Sequence, residues 1–214
     1  EDYDEMGNPI PSVRLPIEEE EENMSLTKDL FIECTELCPV IPAVKNDEWL
    51  NACKESECGI VYVLYGDICS IADIVQKVKD VGKKAIVHID LIVGLSSKEI
   101  SVDFIAKYTK ADGIISMKPA LIKRANELGL FTIQRFFMMD AITYANVKKH
   151  VKNSNPDVVE FLPAGLPKII SYLLEEIDKP VVASGLILDK EDVIGALKAG
   201  AIAISTTNRG IWNC

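Results

Sequence analysis

Short apolar runs alternate with amphipathic stretches along most of this chain. The apolar runs are rich in Val, Ile and Phe, which is typical of strands that are buried on both faces, whereas the stretches between them follow a helical period. Eight strands are predicted, at Val40–Val44, Ile60–Leu64, Ala85–Ile89, Gly113–Ser116, Phe131–Gln134, Val158–Leu162, Val181–Ala183 and Ala201–Ser205. Seven helices are predicted between them, at Asp47–Glu55, Ser70–Val81, Ser97–Thr109, Pro119–Leu128, Ala141–Lys152, Gly165–Ile177 and Lys190–Ala199.

Regular alternation of strand and helix indicates a parallel sheet, and eight strands with short connections favour its closure. The pattern therefore predicts an α/β fold, a compact single-domain (β/α)8 TIM barrel. Its last helix is vestigial, because only Arg209–Cys214 follow the eighth strand. An open doubly wound sheet is the alternative, but no G-x-G-x-x-G sequence follows the first strand.

The first 23 residues differ from the rest in composition. They combine prolines with a run of five glutamates, Glu18 to Glu22, and show no hydrophobic periodicity. This composition is typical of disorder, so residues 1–23 are interpreted as a disordered acidic leader and residues 24–214 as the barrel domain. The leader carries a net charge of −8 of the total of −10, so the body is nearly neutral and its bulk charge neither requires nor excludes a nucleic-acid partner.

The composition narrows the class of protein. The chain has 214 residues, 48% of them hydrophobic, and no apolar run approaches the ~20 residues of a membrane span. An acidic start is unlike a signal peptide, so a cytoplasmic location without membrane association is predicted. The six cysteines have no paired C-x-x-C spacing, and only two histidines are present, so no metal and no cofactor is expected.

Small, hydroxylic and glycine residues follow the last two strands. Backbone N–H groups in such segments are free to converge on a phosphate, and the loops after strands seven and eight are the usual phosphate site of a barrel of this type. The sequence therefore predicts an anion site formed by Ser184, Gly185, Leu186, Thr206, Thr207 and Asn208.

Charged side chains stand at the ends of strands three to six, where functional groups of such barrels lie. His88 and Asp90 are two residues apart and suit a ligand's hydroxyls, a divalent ion or an acid–base pair; alternatively Asp90 caps a loop and His88 fills the barrel. Lys118 and Arg135 suit an anionic ligand or a barrel carboxylate. Glu160 lies in an apolar strand, so it requires a cation, a metal, a ligand hydroxyl or an ordinary salt bridge to Lys118 or Arg135.

Seven ordered segments resemble the glycerol uptake operon antiterminators, a bacterial family responsive to glycerol 3-phosphate. Together they extend from about Cys38 to Trp212: Pro39–Asn46, Val87–Leu95, Asp112–Ser116, Ile133–Phe137 with Asp140, Glu160–Gly165, Ser184–Ile187, and Ala196–Ala201 with the Ser-Thr-Thr-Asn tail and Trp212. The family often has Gly-Gly-Leu-Ile where this chain has Ser184-Gly185-Leu186-Ile187.

The resemblance implies a barrel that binds glycerol 3-phosphate and then acts on the leader mRNA of a glycerol-utilisation operon to let transcription pass a terminator. It implies that the predicted anion site holds the phosphate, and that the cavity is lined by His88, Asp90, Lys118, Gln134, Arg135 and Glu160. On this basis we expect a regulator without catalytic residues. Its expected partners are glycerol 3-phosphate and leader mRNA, and a homodimer is possible.

Two other functions stay open. One is a barrel enzyme acting on a small phosphorylated substrate, with His88 and Glu160 moving protons; the other is a metabolite-binding module with a protein partner. No nucleophile elbow, H-E-x-x-H or Walker loop supports the enzyme. Leader RNA would require a local cationic patch such as Lys148, Lys149, His150 and Lys152, although such a cluster is usually a solvated helix face.

Overall fold

A computed structural model describes residues 25–213 of the chain. The predicted leader, residues 1–23, lies outside this part. In the described part the strands are β1 (Val40–Val44), β2 (Ile60–Val63), β3 (Lys84–His88), β4 (Gly113–Ser116), β5 (Phe131–Phe137), β6 (Val158–Leu162), β7 (Val181–Ser184) and β8 (Ala203–Thr206). The helices are α1 (Lys28–Leu37), α2 (Asp47–Ala52), α3 (Ile71–Lys79), α4 (Ile100–Tyr108), α5 (Pro119–Glu127), α6 (Ala141–Ser154), α7 (Pro167–Glu176) and α8 (Lys190–Lys198).

The strands form a closed parallel barrel in sequence order, in which β8 also pairs with β1. The (β/α)8 prediction is confirmed, and after β8 the chain makes only the short 3₁₀ turn Arg209–Ile211. Two strand boundaries were wrong by two or three residues, and several others differ by one residue. Strand β5 continues to Phe137, because Arg135 and Phe137 pair with Glu160 and Leu162 of β6, and β8 begins at Ala203 rather than Ala201.

Helix α1 was not predicted. It begins after the N-cap Thr27, whose side chain accepts a hydrogen bond from the Leu30 amide. It closes the amino-terminal end of the barrel, since the fully buried Phe31 stacks on Phe131 of β5 with ring centroids 4.9 Å apart. Sequence reasoning missed this helix because it precedes the first strand and stands outside the strand–helix alternation.

The alternation of side chains along each strand divides the core into two layers. One layer lies between the sheet and its helices, and the other fills the barrel with at least one apolar residue from every strand: Ile41, Tyr62, Ile86, Ile115, Ile133, Val158, Val182 and Ala203. Gly113 permits the close approach of β4 to β5, because a Cβ there would lie 2.4 Å from the Phe131 carbonyl oxygen. The lower barrel is therefore a packed apolar core, and polar side chains collect above it.

Candidate functional site

A cavity of about 460 Å³ opens at the carboxyl ends of the strands, on the β5–β8 side. All six residues of the predicted anion site line it, together with Arg135. The remaining lining residues are mostly apolar: Ala43, Leu64, Leu162, Ile187, Leu188 and Ser205. This combination of apolar walls and a few converging polar groups is typical of a small-molecule site. We call this cavity the β7–β8 pocket.

The loop after β7 bends sharply around the pocket. Gly185 has φ 72° and Leu186 has φ 56°, and positive φ is uncommon for a residue with a branched side chain. The Ala164 amide donates to the carbonyl oxygens of Ser184 (2.7 Å) and Gly185 (3.1 Å), so these acceptors are already used by the β6–α7 loop. The Ser184 hydroxyl is buried in the pocket wall and has no hydrogen-bond partner among the described residues. Because such a group is costly to leave unpaired, it is suited to a ligand oxygen.

The loop after β8 is held by its own hydrogen bonds. The Asn208 side chain donates to the Leu188 carbonyl (3.0 Å) and accepts from the Gly210 amide (3.1 Å). The Thr206 hydroxyl accepts from the Asn208 amide (3.0 Å). Asn208 therefore lines the pocket, but its side-chain amide serves to fasten the β7 and β8 loops to each other, while the exposed Thr207 leaves its hydroxyl open to the pocket.

Arg135 lines the pocket and forms an ion pair with Glu160, which is fully buried and is not among the lining residues, so the predicted place of Glu160 in the cavity lining was wrong. Arg135 Nε lies 2.5 Å from Glu160 Oε2, and the two side chains are 9% and 0% exposed. The Ser205 hydroxyl donates to the other oxygen, Oε1, at 2.8 Å. The salt bridge weighed for Glu160 is therefore present, with Arg135 and not Lys118 as its partner. Ser205 was missed as a site residue, because its contact with a residue 45 positions away depends on the β6–β7–β8 register.

His88 and Tyr62 project into the barrel near this ion pair. Burial and, to a lesser extent, the nearby Arg135 guanidinium lower the pKa of His88 to about 4, so the imidazole is neutral at pH 7. Burial also raises the pKa of Tyr62 well above its ordinary value. His88 Nδ1 and the Tyr62 hydroxyl have no hydrogen-bond partner among the described residues. Neither residue lines the β7–β8 pocket, so His88 belongs to the polar layer beneath it.

Asp90 and Lys118 lie on the opposite side of the barrel mouth and bond to each other and to their neighbours. Asp90 Oδ2 accepts from the Ser116 hydroxyl (3.0 Å) and the Met117 amide (2.8 Å), and Oδ1 lies 3.3 Å from Lys118 Nζ. Lys118 Nζ also donates to the Ser97 hydroxyl. Neither residue lines the pocket, and Asp90 ties the β3 and β4 ends together, as in the loop-capping interpretation.

Gln134 faces away from the barrel interior, so its predicted place in the cavity lining was wrong. Its neighbour Arg135 points inward, and adjacent residues of a strand face opposite sides. The Gln134 side chain accepts from the Ser154 hydroxyl at the end of α6 at 2.5 Å and is fully buried there. It therefore stabilises the contact between β5 and α6.

Three further observations concern metal ions, nucleic acids and membranes. No group of three or more His, Cys, Asp or Glu side chains suited to a metal ion occurs within residues 25–213. The α6 cluster of Lys148, Lys149, His150 and Lys152 is exposed, but Lys148 pairs with Glu176 at 2.9 Å, which offsets part of its charge. In the described part, no helix is long and apolar enough to cross a membrane.

The strands and helices define a (β/α)8 barrel with a pocket at the loops after β7 and β8. Its sequence matches the family model described as glycerol-3-phosphate responsive antiterminator over residues 40–212. The chain therefore belongs to the glycerol-3-phosphate responsive antiterminator family, as its resemblance to these proteins predicts.

Individual relatives cover nearly the same region. The uncharacterized protein YgcP of Escherichia coli K12 is 46% identical over 174 residues, which are 81% of this chain and 91% of that protein. The glycerol uptake operon antiterminator regulatory protein of Listeria monocytogenes has 30% identity and a TM-score of 0.79, over 82% of this chain and 95% of that chain. A glycerol uptake operon antiterminator-related protein of Thermotoga maritima has 29% identity and a TM-score of 0.72, over 81% and 96% of the two chains.

Proposed function

We propose that this protein is a glycerol-3-phosphate sensor that acts as a transcription antiterminator on the leader mRNA of a glycerol-utilisation operon. The observation that carries the proposal is the β7–β8 pocket, in which the other five predicted phosphate residues lie with Ser184, whose hydroxyl has no hydrogen-bond partner among the described residues. Family membership supplies the identity of the ligand and the regulatory role. The protein acts in the cytoplasm, where the nascent transcript is made.

The ligand's phosphate is assigned to the β7 and β8 loops. Ser184 and Thr207 offer hydroxyl groups there, and Gly185 brings backbone close to the pocket without a side chain in the way. The Arg135 guanidinium at the floor adds a cation in a largely apolar cavity, where a charge interaction is stronger than in water. The glycerol part then extends down toward Arg135 and Glu160.

A regulatory role is favoured over catalysis. No carboxylate is among the residues that line the pocket: Glu160 is buried and held by Arg135 and Ser205, and Lys118 is held by Asp90 on the far side of the barrel mouth. A general base needs a free lone pair directed at its substrate, and a Schiff-base lysine needs to reach it. The pocket is built to bind a ligand, with no lysine among its lining residues.

Calorimetric titration of the full 214-residue chain tests the sensor. Saturable heat with glycerol 3-phosphate is expected, with much weaker heat for glycerol or inorganic phosphate, and no turnover of the ligand. Absence of heat with all three would overturn the proposed ligand.

The RNA step requires a second experiment. The 5′ leader transcript of a glycerol-utilisation operon is titrated with the chain, with and without glycerol 3-phosphate, at two salt concentrations. Ligand-dependent binding that weakens with salt is expected, since neutralised phosphates release counterions. Ligand binding without RNA binding would overturn the antiterminator role and leave a metabolite-binding module. Sedimentation of the same samples tests the predicted homodimer.

A further inference from the structure

Three free cysteines meet at the amino-terminal end of the barrel, opposite the β7–β8 pocket. Cys34 and Cys38 are one helical turn apart at the end of α1, and Cys58 lies two residues before β2. Cys38 and Cys58 belong to the apolar cluster that fills the barrel, and the half-buried Cys34 packs against it. A Cβ at Gly59 would lie 3.5 Å from Cys34 Sγ, so α1 covers the segment that carries Cys58.

The Cys38 and Cys58 thiols are in contact. The Cys58 thiol donates a hydrogen bond to the Cys38 sulfur, which also lies 3.7 Å from the Val40 carbonyl oxygen. The register of β1 and β2 explains this contact, because Ala43 is level with Tyr62 and the segments that enter the two strands run side by side. Neighbouring strands lie ~4.8 Å apart, and disulfide-linked Cα atoms are usually ~5.5 Å apart. The two cysteines are therefore placed for a disulfide bond.

A buried cation is fixed beside this pair. Lys83 is almost fully buried, and its Nζ donates to the carbonyl oxygens of Ser56 and Cys58, both at 2.7 Å. Among the described residues no carboxylate forms an ion pair with Lys83, whereas Lys84 next to it pairs with Asp112. A buried ammonium group without a carboxylate partner favours a thiolate nearby.

The two thiols differ in acidity. The hydrogen bond from Cys58 lowers the pKa of Cys38 to about 6, and the charge of Lys83 lowers it as well. The same hydrogen bond and complete burial raise the pKa of Cys58. Cys38 is also the less buried of the two, at 7% exposure against 0%. Cys38 therefore carries the thiolate, and Cys58 keeps its proton.

We propose that Cys38 and Cys58 form a reversible oxidation site for hydrogen peroxide, with Cys38 as the nucleophile and Cys58 as the resolving thiol. This site goes beyond the proposed function and does not depend on it. The Cys38 thiolate attacks one peroxide oxygen, the O–O bond breaks, and the other oxygen leaves and is protonated to water. Cys38 is then a sulfenic acid.

The second step forms the disulfide. The Cys58 sulfur attacks the Cys38 sulfur, the S–S bond forms, and the S–O bond breaks. The hydroxyl group leaves with the Cys58 proton as a second water molecule. The two cysteines lose two electrons, which reduce the peroxide. The new bond ties the end of α1 to the chain before β2 and encloses β1 and α2 in a covalent loop.

The test oxidises the full chain, reduced beforehand, with a small excess of hydrogen peroxide. Free thiols are then alkylated, and the protein is digested without reductant for mass spectrometry. The expected product is a pair of peptides joined through Cys38 and Cys58, which dithiothreitol separates again. If the two residues stayed free, became sulfinic acids or were joined to other cysteines instead, the proposal would be overturned.

Two variants separate the two roles. Cys58→Ser keeps a hydroxyl donor for Cys38 and removes the resolving sulfur, so Cys38 should stop at the sulfenic acid, which dimedone traps. Cys38→Ser removes the nucleophile, so the Cys58 thiol should be lost at least about tenfold more slowly than in the unmodified chain. Dimedone on Cys58 in the second variant, with none on Cys38 in the first, would contradict the assigned roles.

Cys53→Ser is the matched control. Cys53 is as deeply buried as Cys58, burial raises its pKa, and its thiol donates to the Leu50 carbonyl at 3.0 Å. In this variant, once circular dichroism shows that it is folded, the Cys38–Cys58 bond should form within about twofold of the rate in the unmodified chain. A rate as low as that of Cys38→Ser would show that oxidation does not depend on this pair.

Discussion

Two ion pairs stand at the mouth of this barrel, and they differ in what surrounds them. Arg135 and Glu160 are 9% and 0% exposed, and of the two only Arg135 lines a cavity. Lys118 is 40% exposed, and its partner Asp90 is also bonded to Ser116 and Met117. Both pairs join charged residues near the ends of strands, so their sequence patterns are alike. The first pair contributes Arg135 to the wall of a cavity, whereas in the second pair Asp90 joins the ends of β3 and β4 through Ser116 and Met117.

The largest effect expected from this difference is on stability. Arg135→Met leaves the Glu160 carboxylate buried without its cation, so the free energy of unfolding should fall by about 3–5 kcal/mol. Lys118→Met removes a half-exposed cation from a carboxylate that keeps two other hydrogen bonds, so less than about 1 kcal/mol should be lost. Urea denaturation measures both. If both variants lost the same free energy of unfolding, the two ion pairs would not differ in their contribution to stability.

The next effect is a pH dependence that comes from the polar layer under the pocket. The folded pKa of His88 is about 4 and its ordinary value is 6.5, so the unfolded chain binds a proton between these values that the folded chain does not. The stability due to neutral His88 is complete above pH 6.5 and is lost as the pH falls to about 4. That loss is about 3 kcal/mol at 1.36 kcal/mol per pKa unit.

His88→Gln isolates this contribution, because its side chain has no charge at any of these pH values. Between pH 7 and pH 4 the unmodified chain should lose about 3 kcal/mol more of its free energy of unfolding than the variant loses. Denaturant titrations measure the free energy of unfolding of both proteins at each pH. If it fell by the same amount in both proteins, the result would contradict a buried, neutral His88.

On ligand binding, the two sides of the mouth should respond differently to the same substitution. Ser184→Asp places a carboxylate against the phosphate and should weaken glycerol 3-phosphate binding by at least about 100-fold, or about 2.7 kcal/mol. Ser97→Asp, beside Lys118 and outside the pocket lining, should leave affinity within about twofold. Calorimetry on both folded variants provides the comparison, and comparable losses would place the phosphate elsewhere.

A smaller effect is expected from the fastening of the two pocket loops. Asn208→Ala removes the side-chain bonds to Leu188 and Gly210, so the loops are less well ordered before the ligand binds. One or two hydrogen bonds at ~1 kcal/mol each predict a loss of affinity of roughly fivefold to thirtyfold. The affinity of Lys118→Met, by contrast, should stay within about twofold. If Asn208→Ala and Lys118→Met lost the same affinity, the two sides of the barrel mouth would be coupled.

The fold could be predicted from the sequence, because apolar runs at regular spacing indicate strands, and parallel strands connected by short helices close into a barrel. The positions of the residues in the loops after β7 and β8 could also be predicted, since the residues that follow a strand are known once the strand itself is known. Gln134 shows an error that strand geometry itself excludes, because Gln134 and Arg135 are adjacent and cannot both face the interior.

Other parts of the site depend on information that a linear pattern does not contain. Ser205 reaches Glu160 only because β6, β7 and β8 are in a particular register. Asp90 and Lys118 have the residue types and strand-end positions of ligand groups, and only their mutual contact shows that they are already occupied. Whether a polar side chain already has hydrogen-bond partners depends on its neighbours in the folded structure.

The pairing of β8 with β1 joins residues far apart in the chain, as Val40 and Ile204 show. Contacts of such long sequence separation carry a high entropic cost and tend to form late. Residues 205–208, at the end of β8 and in the loop after it, line the pocket, so a partly folded barrel that still lacks this seam has an incomplete pocket. A ligand that binds only the closed form stabilises it by RT ln(1 + [L]/Kd). Under the proposed function, glycerol 3-phosphate would therefore also set how long the barrel stays closed, and the lifetime of the protein would follow the supply of its ligand.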